Sequence, residues 1–314
     1  MSQTIESILD PPFDTQPDPE EFIRAAMEWY FNPLTGSAFW LDRATSLGFD
    51  PRTDIKTHED LTLFPNVTNE LRDVRVEDLI PRGYGANPEV VRVAESGGTT
   101  DPPKRVVVLR DWWDRVLAWM SARADAQGFP RDANWLRISP SGPHLLIGEL
   151  GTKCGHRQGG IKFSIDMDPR WIKKLIAAGR REQANAYVAH RVEQATFQLR
   201  TQDIGVLITT PAMLERIARR DNLVRADQRE GAGHHVGGTS MDTDTRHLYR
   251  TEVFPGARLC GVYGSTMILG NAIERLDLTD DDPCVFDTLS RSSPSHLSIR
   301  RPAARSATAS AARL

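Results

Sequence analysis

A chain of 314 residues with 39% apolar and 26% charged side chains has the material for a sizeable core, in one large domain or two. Its formal charge of −3 gives no reason to expect nucleic acid or an anionic membrane as partner. There is also no apolar run near the ~18 residues that a membrane-spanning helix needs. Cys154, Cys260 and Cys284 are odd in number and widely spaced, which reads as free thiols in a reducing cytoplasm. The N-terminal stretch carries Glu6, Asp10 and Asp14 and lacks the basic start and apolar centre of a secretory signal.

In chain order, Asp18-Pro19-Glu20-Glu21 is a helix start, with a capping carboxylate, proline at the first position and acids in the first turn. The helix it opens leads to Trp29 and Tyr30. Val90 to Ala94 and Arg105 to Leu109 are β-rich runs around a glycine loop. Asp111 is expected to cap a helix whose Trp112, Trp113, Val116, Leu117 and Met120 recur at core spacing. Trp135 to Ser139, Leu145 to Ile147 and Ile161 to Ile165 read as strands. Asp168-Pro169 opens a helix that Gly179 closes, and a long helix follows over Glu182 to Thr201. Ile204 to Ile208 is a buried-type strand, Thr210-Pro211 opens another helix, and Leu259 to Tyr263 is the last clear strand. Alternating strands and helices predict an α/β fold of layered, largely parallel sheets with helices on the faces.

Of the 25 residues from 290 to 314, 20 are Ser, Ala, Arg or Pro, and no apolar periodicity survives there. The expected organisation is therefore one α/β region over 1–287 and a disordered tail over 288–314.

The segment from Glu95 to Arg105 carries the most chemistry. Gly97 and Gly98 let backbone N–H groups approach an anion, and Ser96, Thr99 and Thr100 add hydroxyl donors. Pro102 and Pro103 stiffen the descent to Lys104, a point charge suited to phosphate. Composition alone also fits a polar turn between strands. The spacing matches neither a Walker loop nor the GxGxxG dinucleotide turn. A second segment, Tyr263-Gly264-Ser265-Thr266-Met267, ends a strand, where ligands of open α/β sheets gather. Cys154-Gly155-His156 and His234-His235 do not complete a zinc ligand set, and no Gly-x-Ser-x-Gly elbow appears.

The order Ser96-Gly97-Gly98-Thr99-Thr100-Asp101-Pro102-Pro103-Lys104 resembles the phosphate loop of the AMP-forming acyl-adenylate ligases, departing at Asp101, where glycine is usual. Tyr263-Gly264-Ser265-Thr266 resembles that superfamily's Tyr-Gly-x-Thr-Glu motif, with Met267 standing where the glutamate belongs. Gly237-Gly238-Thr239 resembles the stretch lining the adenine and acyl pockets, and His144 stands where an aromatic residue or histidine borders the carboxylate pocket. The resemblance covers roughly residues 20–287 and is nearest the phenylacetate-CoA ligase branch and the aryl-acid adenylating enzymes of phenazine antibiotic pathways. It implies the fold of the N-terminal part of such a ligase, with the small C-terminal ligase domain absent.

It also implies ATP and Mg²⁺ as cofactors, a small carboxylic acid, aromatic in that branch, as substrate, and CoA or a carrier-protein thiol as acceptor. Lys104, His144 and Thr266 then take catalytic roles. Ser96, Gly97, Gly98, Thr99, Thr100 and Lys104 hold phosphate, with Gly237, Gly238, Thr239, Tyr263, Gly264, Ser265 and Thr266 around the nucleotide. Thr266 meets the metal. A non-catalytic nucleotide- or aryl-acid-binding remnant of such a ligase is the alternative, because a thioether at Met267 is a poor ligand for hard Mg²⁺.

Overall fold

The computed structural model describes residues 8–11, 15, 17–98, 101–142, 146–220, 233–237, 241–276, 278, 285–289 and 297–298. Helices α1 (Pro19–Phe31), α2 (Ala38–Ala44) and α3 (Pro51–Asp54) open the chain, followed by short 3₁₀ turns up to Tyr84. Asp18 caps α1 as expected, accepting from the N–H groups of Glu20 and Glu21. This part has its own small core of Ile23, Met27, Phe31 and Ile55, with Phe31 stacked on Phe64 at 5.6 Å.

Strands β1 (Val90–Glu95) and β2 (Arg105–Leu109) form a separate antiparallel hairpin. Then come α4 (Arg110–Ala126), β3 (Asn134–Ile138), α5 (Leu146–Arg157), β4 (Lys162–Ile165), α6 (Pro169–Ala177), α7 (Arg181–Thr201), β5 (Ile204–Thr209) and α8 (Pro211–Ala218). The described chain continues with β6 (Gly233–Gly237), α9 (Thr243–Leu248), a π-helical turn at Tyr249–Val253, β7 (Arg258–Ser265), β8 (Gly270–Glu274), β9 (Val285–Thr288) and β10 (Leu297–Ser298).

The main sheet has eight strands in the order β10-β9-β8-β7-β6-β5-β3-β4. Pairing is parallel from β4 through β7 and antiparallel from β7 to β10. Alternation along the central strands serves both faces. Trp135, Val206 and Ile208 pack under α4 and α5 with Trp113, Val116 and Leu150. Leu136, Ile138 and Leu207 pack against α7 and α8 through Val192, Ala195, Leu199 and Met213. These are the helices on both faces that the alternation of elements predicts.

Several expectations change. Residues from Leu146 onward are helical, not a strand, and α5 lies so close to the sheet that a Cβ on Gly151 would stand 2.5 Å from Ile208 Cδ1. Gly155, one turn on, faces Trp135 and Lys162 in the same way. An apolar start beside two glycines was a close-packing helix face. Helix α4 starts before Asp111, with Leu109 at the cap position; the Asp111 carboxylate instead accepts the Tyr84 hydroxyl at 2.7 Å. Leu259 to Tyr263 is not the last strand, since β8, β9 and β10 follow. Of the 288–314 tail, Thr288, Leu289, Leu297 and Ser298 are described, and Leu297 and Ser298 pair with Phe286 and Val285.

Candidate functional site

The glycine loop is the tip of the β1–β2 hairpin. Glu95 stands opposite Arg105, and the next pair closes the loop: Ser96 N–H donates to Lys104 O at 2.9 Å, and Lys104 N–H donates to Ser96 Oγ at 3.0 Å. The Ser96 hydroxyl is thus a brace as well as a candidate donor. Gly97 is exposed and Gly98 sits at φ +57°, a backbone region that favours glycine. Thr99 and Thr100 lie outside the described residues.

Two arginines hold the loop from outside. Arg170, in the first turn of α6, forms an ion pair with Glu95 at 3.0 Å and donates to the carbonyls of Ser96 at 2.7 Å and Gly97 at 3.3 Å. Arg72 pairs with Asp101 at 2.9 Å, so the acid that interrupts the expected pattern has its own counter-charge. Neither arginine is marked in the sequence, because both are remote from the loop along the chain.

The hairpin stands at the carboxyl edge of the parallel strands. Arg92 on β1 donates to the carbonyl of Gly142, just past β3, at 3.0 Å. Arg170 follows β4 directly, and the Thr266–Ile268 turn after β7 lies alongside β2. Strand order reverses between β3 and β5, the switch point at which open α/β sheets place their ligands. Beside it, Arg137 on β3 is buried and donates to Ser139 O at 2.8 Å and Pro140 O at 2.9 Å, bracing the exit from the strand. Burial lowers its pKa, against the fields of Asp166 and Glu149. Asp166 Oδ1 accepts the Ser141 N–H at 2.7 Å.

Tyr263 is 38% exposed near the end of β7, its ring centroid 6.3 Å from that of Phe286. Gly264 and Ser265 pair with Asn271 and Gly270, so Thr266 opens the turn of a β7–β8 hairpin. The structure therefore brings the 96–104 loop, the segment after β3 and the Tyr263–Thr266 turn to one edge. Gly237 ends β6 on that edge, while His144, Gly238 and Thr239 lie outside the described residues.

A resident Mg²⁺ does not fit the donors found at the turn. Ser265 and Thr266 offer hydroxyls and Met267 a thioether, whereas magnesium prefers carboxylate oxygen. Glu274, the carboxylate on β8, is buried and engaged. Its Oε1 accepts from Arg246 at 3.2 Å and Arg250 at 3.0 Å, and its Oε2 accepts the Gly261 N–H at 2.7 Å. Among the described residues no three His, Cys, Asp or Glu side chains converge on a metal position. Cys154 is buried on α5, 3.7 Å from Ser121 Oγ, and burial raises its pKa, so it is a packing thiol.

No family model matches the sequence, and no curated protein matches it. Solved structures do. A 2-hydroxyisobutyryl-CoA ligase in the postadenylation state, in complex with 2-HIB-AMP, is similar with a TM-score of 0.52 and 16% identity, over 88% of this chain and 57% of that one. The same ligase in its thioesterification state, with 2-HIB-AMP and CoA, gives 0.52 and 15% identity over 84% and 51%. Its open conformation gives 0.50 and 15% over 85% and 57%. The chain spans little more than half the length of these ligases. At such identities the likeness is one of fold: the mixed sheet with its helices matches the α/β architecture of adenylate-forming ligase domains.

Proposed function

We propose that this chain forms an acyl-adenylate from ATP and a carboxylic acid. One observation carries the reading: a glycine-rich hairpin tip, braced between Ser96 and Lys104, stands at the carboxyl edge of the parallel sheet, and strand β2 of the same hairpin lies alongside the Thr266–Ile268 turn. In this reading the backbone of Gly97 and Gly98, the hydroxyls of Ser96, Thr99 and Thr100, and Lys104 hold the triphosphate. Tyr263 lies against the adenine, with Gly237, Gly238, Thr239, Gly264 and Ser265 around the nucleotide, and Thr266 meets phosphate. His144 faces the acid. One carboxylate oxygen bonds to the α-phosphorus, the bond from that phosphorus to the bridging oxygen breaks, and pyrophosphate leaves. The protein contributes position and electrostatics, with no covalent intermediate of its own. Mg²⁺, which the motif resemblance implies, would neutralise phosphate charge, and the turn would offer it only the Ser265 and Thr266 hydroxyls. Transfer of the acyl group to CoA or a carrier-protein thiol, and an aromatic acid of the kind activated in the phenylacetate-CoA ligase branch and in phenazine antibiotic pathways, rest on the motif resemblance.

Isotope exchange between pyrophosphate and ATP, dependent on an added carboxylic acid, tests the reading. Exchange with an aromatic acid is the expected result. ATP binding without exchange over a broad panel of acids would overturn it in favour of a second reading, a nucleotide-binding protein without turnover. Met267 at the turn, and Glu274 already engaged by arginines, favour that alternative.

A further inference from the structure

We propose that Arg170 is a positioning residue that presets the glycine loop to receive an oxyanion; this rests on the phosphate-loop reading above. Its place is fixed by its own helix. Asp168 caps α6, its Oδ1 accepting from Arg170 N at 2.9 Å and Trp171 N at 3.1 Å, while Asp168 N–H donates to the Tyr187 hydroxyl at 2.9 Å. The guanidinium then meets three successive residues: Nη1 reaches Glu95 Oε2 at 3.0 Å, Nη2 the Ser96 carbonyl at 2.7 Å and Nε the Gly97 carbonyl at 3.3 Å. A planar fork with fixed donors suits such a series, and a lysine would not reproduce it.

The consequence follows from the peptide plane. In a trans peptide the C=O and the following N–H point in opposite directions. A Ser96 carbonyl turned onto Arg170 turns the Gly97 N–H away from it, and the Gly97 carbonyl does the same for the Gly98 N–H. Among the described residues neither N–H has an acceptor. Gly98 holds φ +57°, and a Cβ there would already stand 3.5 Å from Arg170 Nε. Two adjacent donors are thus displayed on the face away from the arginine, the arrangement of an anion-binding nest. A cation bonded to the carbonyls also polarises both peptide groups and strengthens their N–H donors. Glu95 pairs with Arg170 at 3.0 Å and also meets Arg105 at 3.6 Å. With its donors taken by that carboxylate and two carbonyls, Arg170 orients the backbone and is not itself the ligand's direct partner.

Calorimetric binding of ATP to the full chain, with adenosine as the phosphate-free control, tests this. Arg170→Met should weaken ATP by about tenfold or more and leave adenosine affinity and thermal midpoint unchanged, with Arg170→Lys recovering only part of the loss. Glu95→Gln, which takes the charge from one of the three anchors, should also weaken ATP. Two results would overturn the proposal alone: Arg170→Met binding ATP like the parent while Lys104→Ala is weakened, or Glu95→Gln tightening ATP, which would make Arg170 the phosphate ligand itself. A parent chain that binds no ATP would overturn the phosphate-loop reading and this proposal together.

Discussion

Asp101 places a carboxylate in a loop whose other features favour anions, and Arg72 is what makes that arrangement tolerable. The pair is half exposed, so it contributes less than about 1 kcal/mol to stability. Its electrostatic effect on a nearby phosphate is larger than its effect on folding. Asp101→Gly is therefore expected to tighten ATP several-fold while shifting the unfolding free energy by under about 1 kcal/mol; titration and urea unfolding of the same sample measure both. Glu274 is the opposite case. It is buried with Arg246, and losing it leaves two arginines without their shared carboxylate. Glu274→Ala should cost about 3–5 kcal/mol, seen as a lower urea midpoint. Neither arginine partner could be read from the sequence, since Arg72 and Arg246 meet their acids only through tertiary contacts. The segment from Ser96 to Lys104 was legible as a loop between two strands because turn chemistry is local, but the brace between those two residues was not. The sequence also led to an error at Asp111, whose composition suits a cap but whose carboxylate is taken by Tyr84.

At the level of elements, the parallel strands β3, β4, β5 and β7 were readable as apolar runs between turn signals, whereas β6, Gly233–Gly237, has only one apolar aliphatic residue and was not. Helix caps at Asp18, Asp168 and Thr210 were readable for the same local reason. Helix α5 was not, because Gly151 and Gly155 argue against a helix until the sheet they press against is known. Strand β8, Gly270–Glu274, has small and polar residues whose burial depends on partners elsewhere. Strand β9 is pinned by Asp287, which accepts from Arg275 Nη2 at 2.9 Å and from Arg123 on α4. Burial pushes the Asp287 pKa up, but hydrogen bonds from Arg275 and Arg123 outweigh it, and the net shift is below the usual 3.8. With the native pKa depressed, this stabilisation is complete above about pH 4 and is lost as pH falls through the native value. Asp287→Asn should flatten that acid limb of the stability curve, measured by thermal midpoints from pH 2 to pH 6.

Across the whole molecule, protection from solvent is uneven. Strands β3 and β5 are covered on both faces, while the β1–β2 hairpin is two-stranded and bound to the rest largely through side chains. Amide hydrogen exchange should accordingly be slowest in β3 and β5 and faster in β1 and β2, and ATP should slow the hairpin selectively. Equal protection of the hairpin and the central strands would contradict this picture.

The hairpin pairs residues close together along the chain, whereas β3, β5, β6 and β7 pair only across intervening helices. Short-range closure takes about microseconds, and long-range parallel pairing is far slower. During synthesis the glycine loop is complete before α6, which carries its clasp, has been made. A ribosome-bound chain ending before Arg170 would thus hold a loop that can close but has nothing to orient it, so on the phosphate-loop reading proposed above an anion would be received only once the sheet edge has arrived.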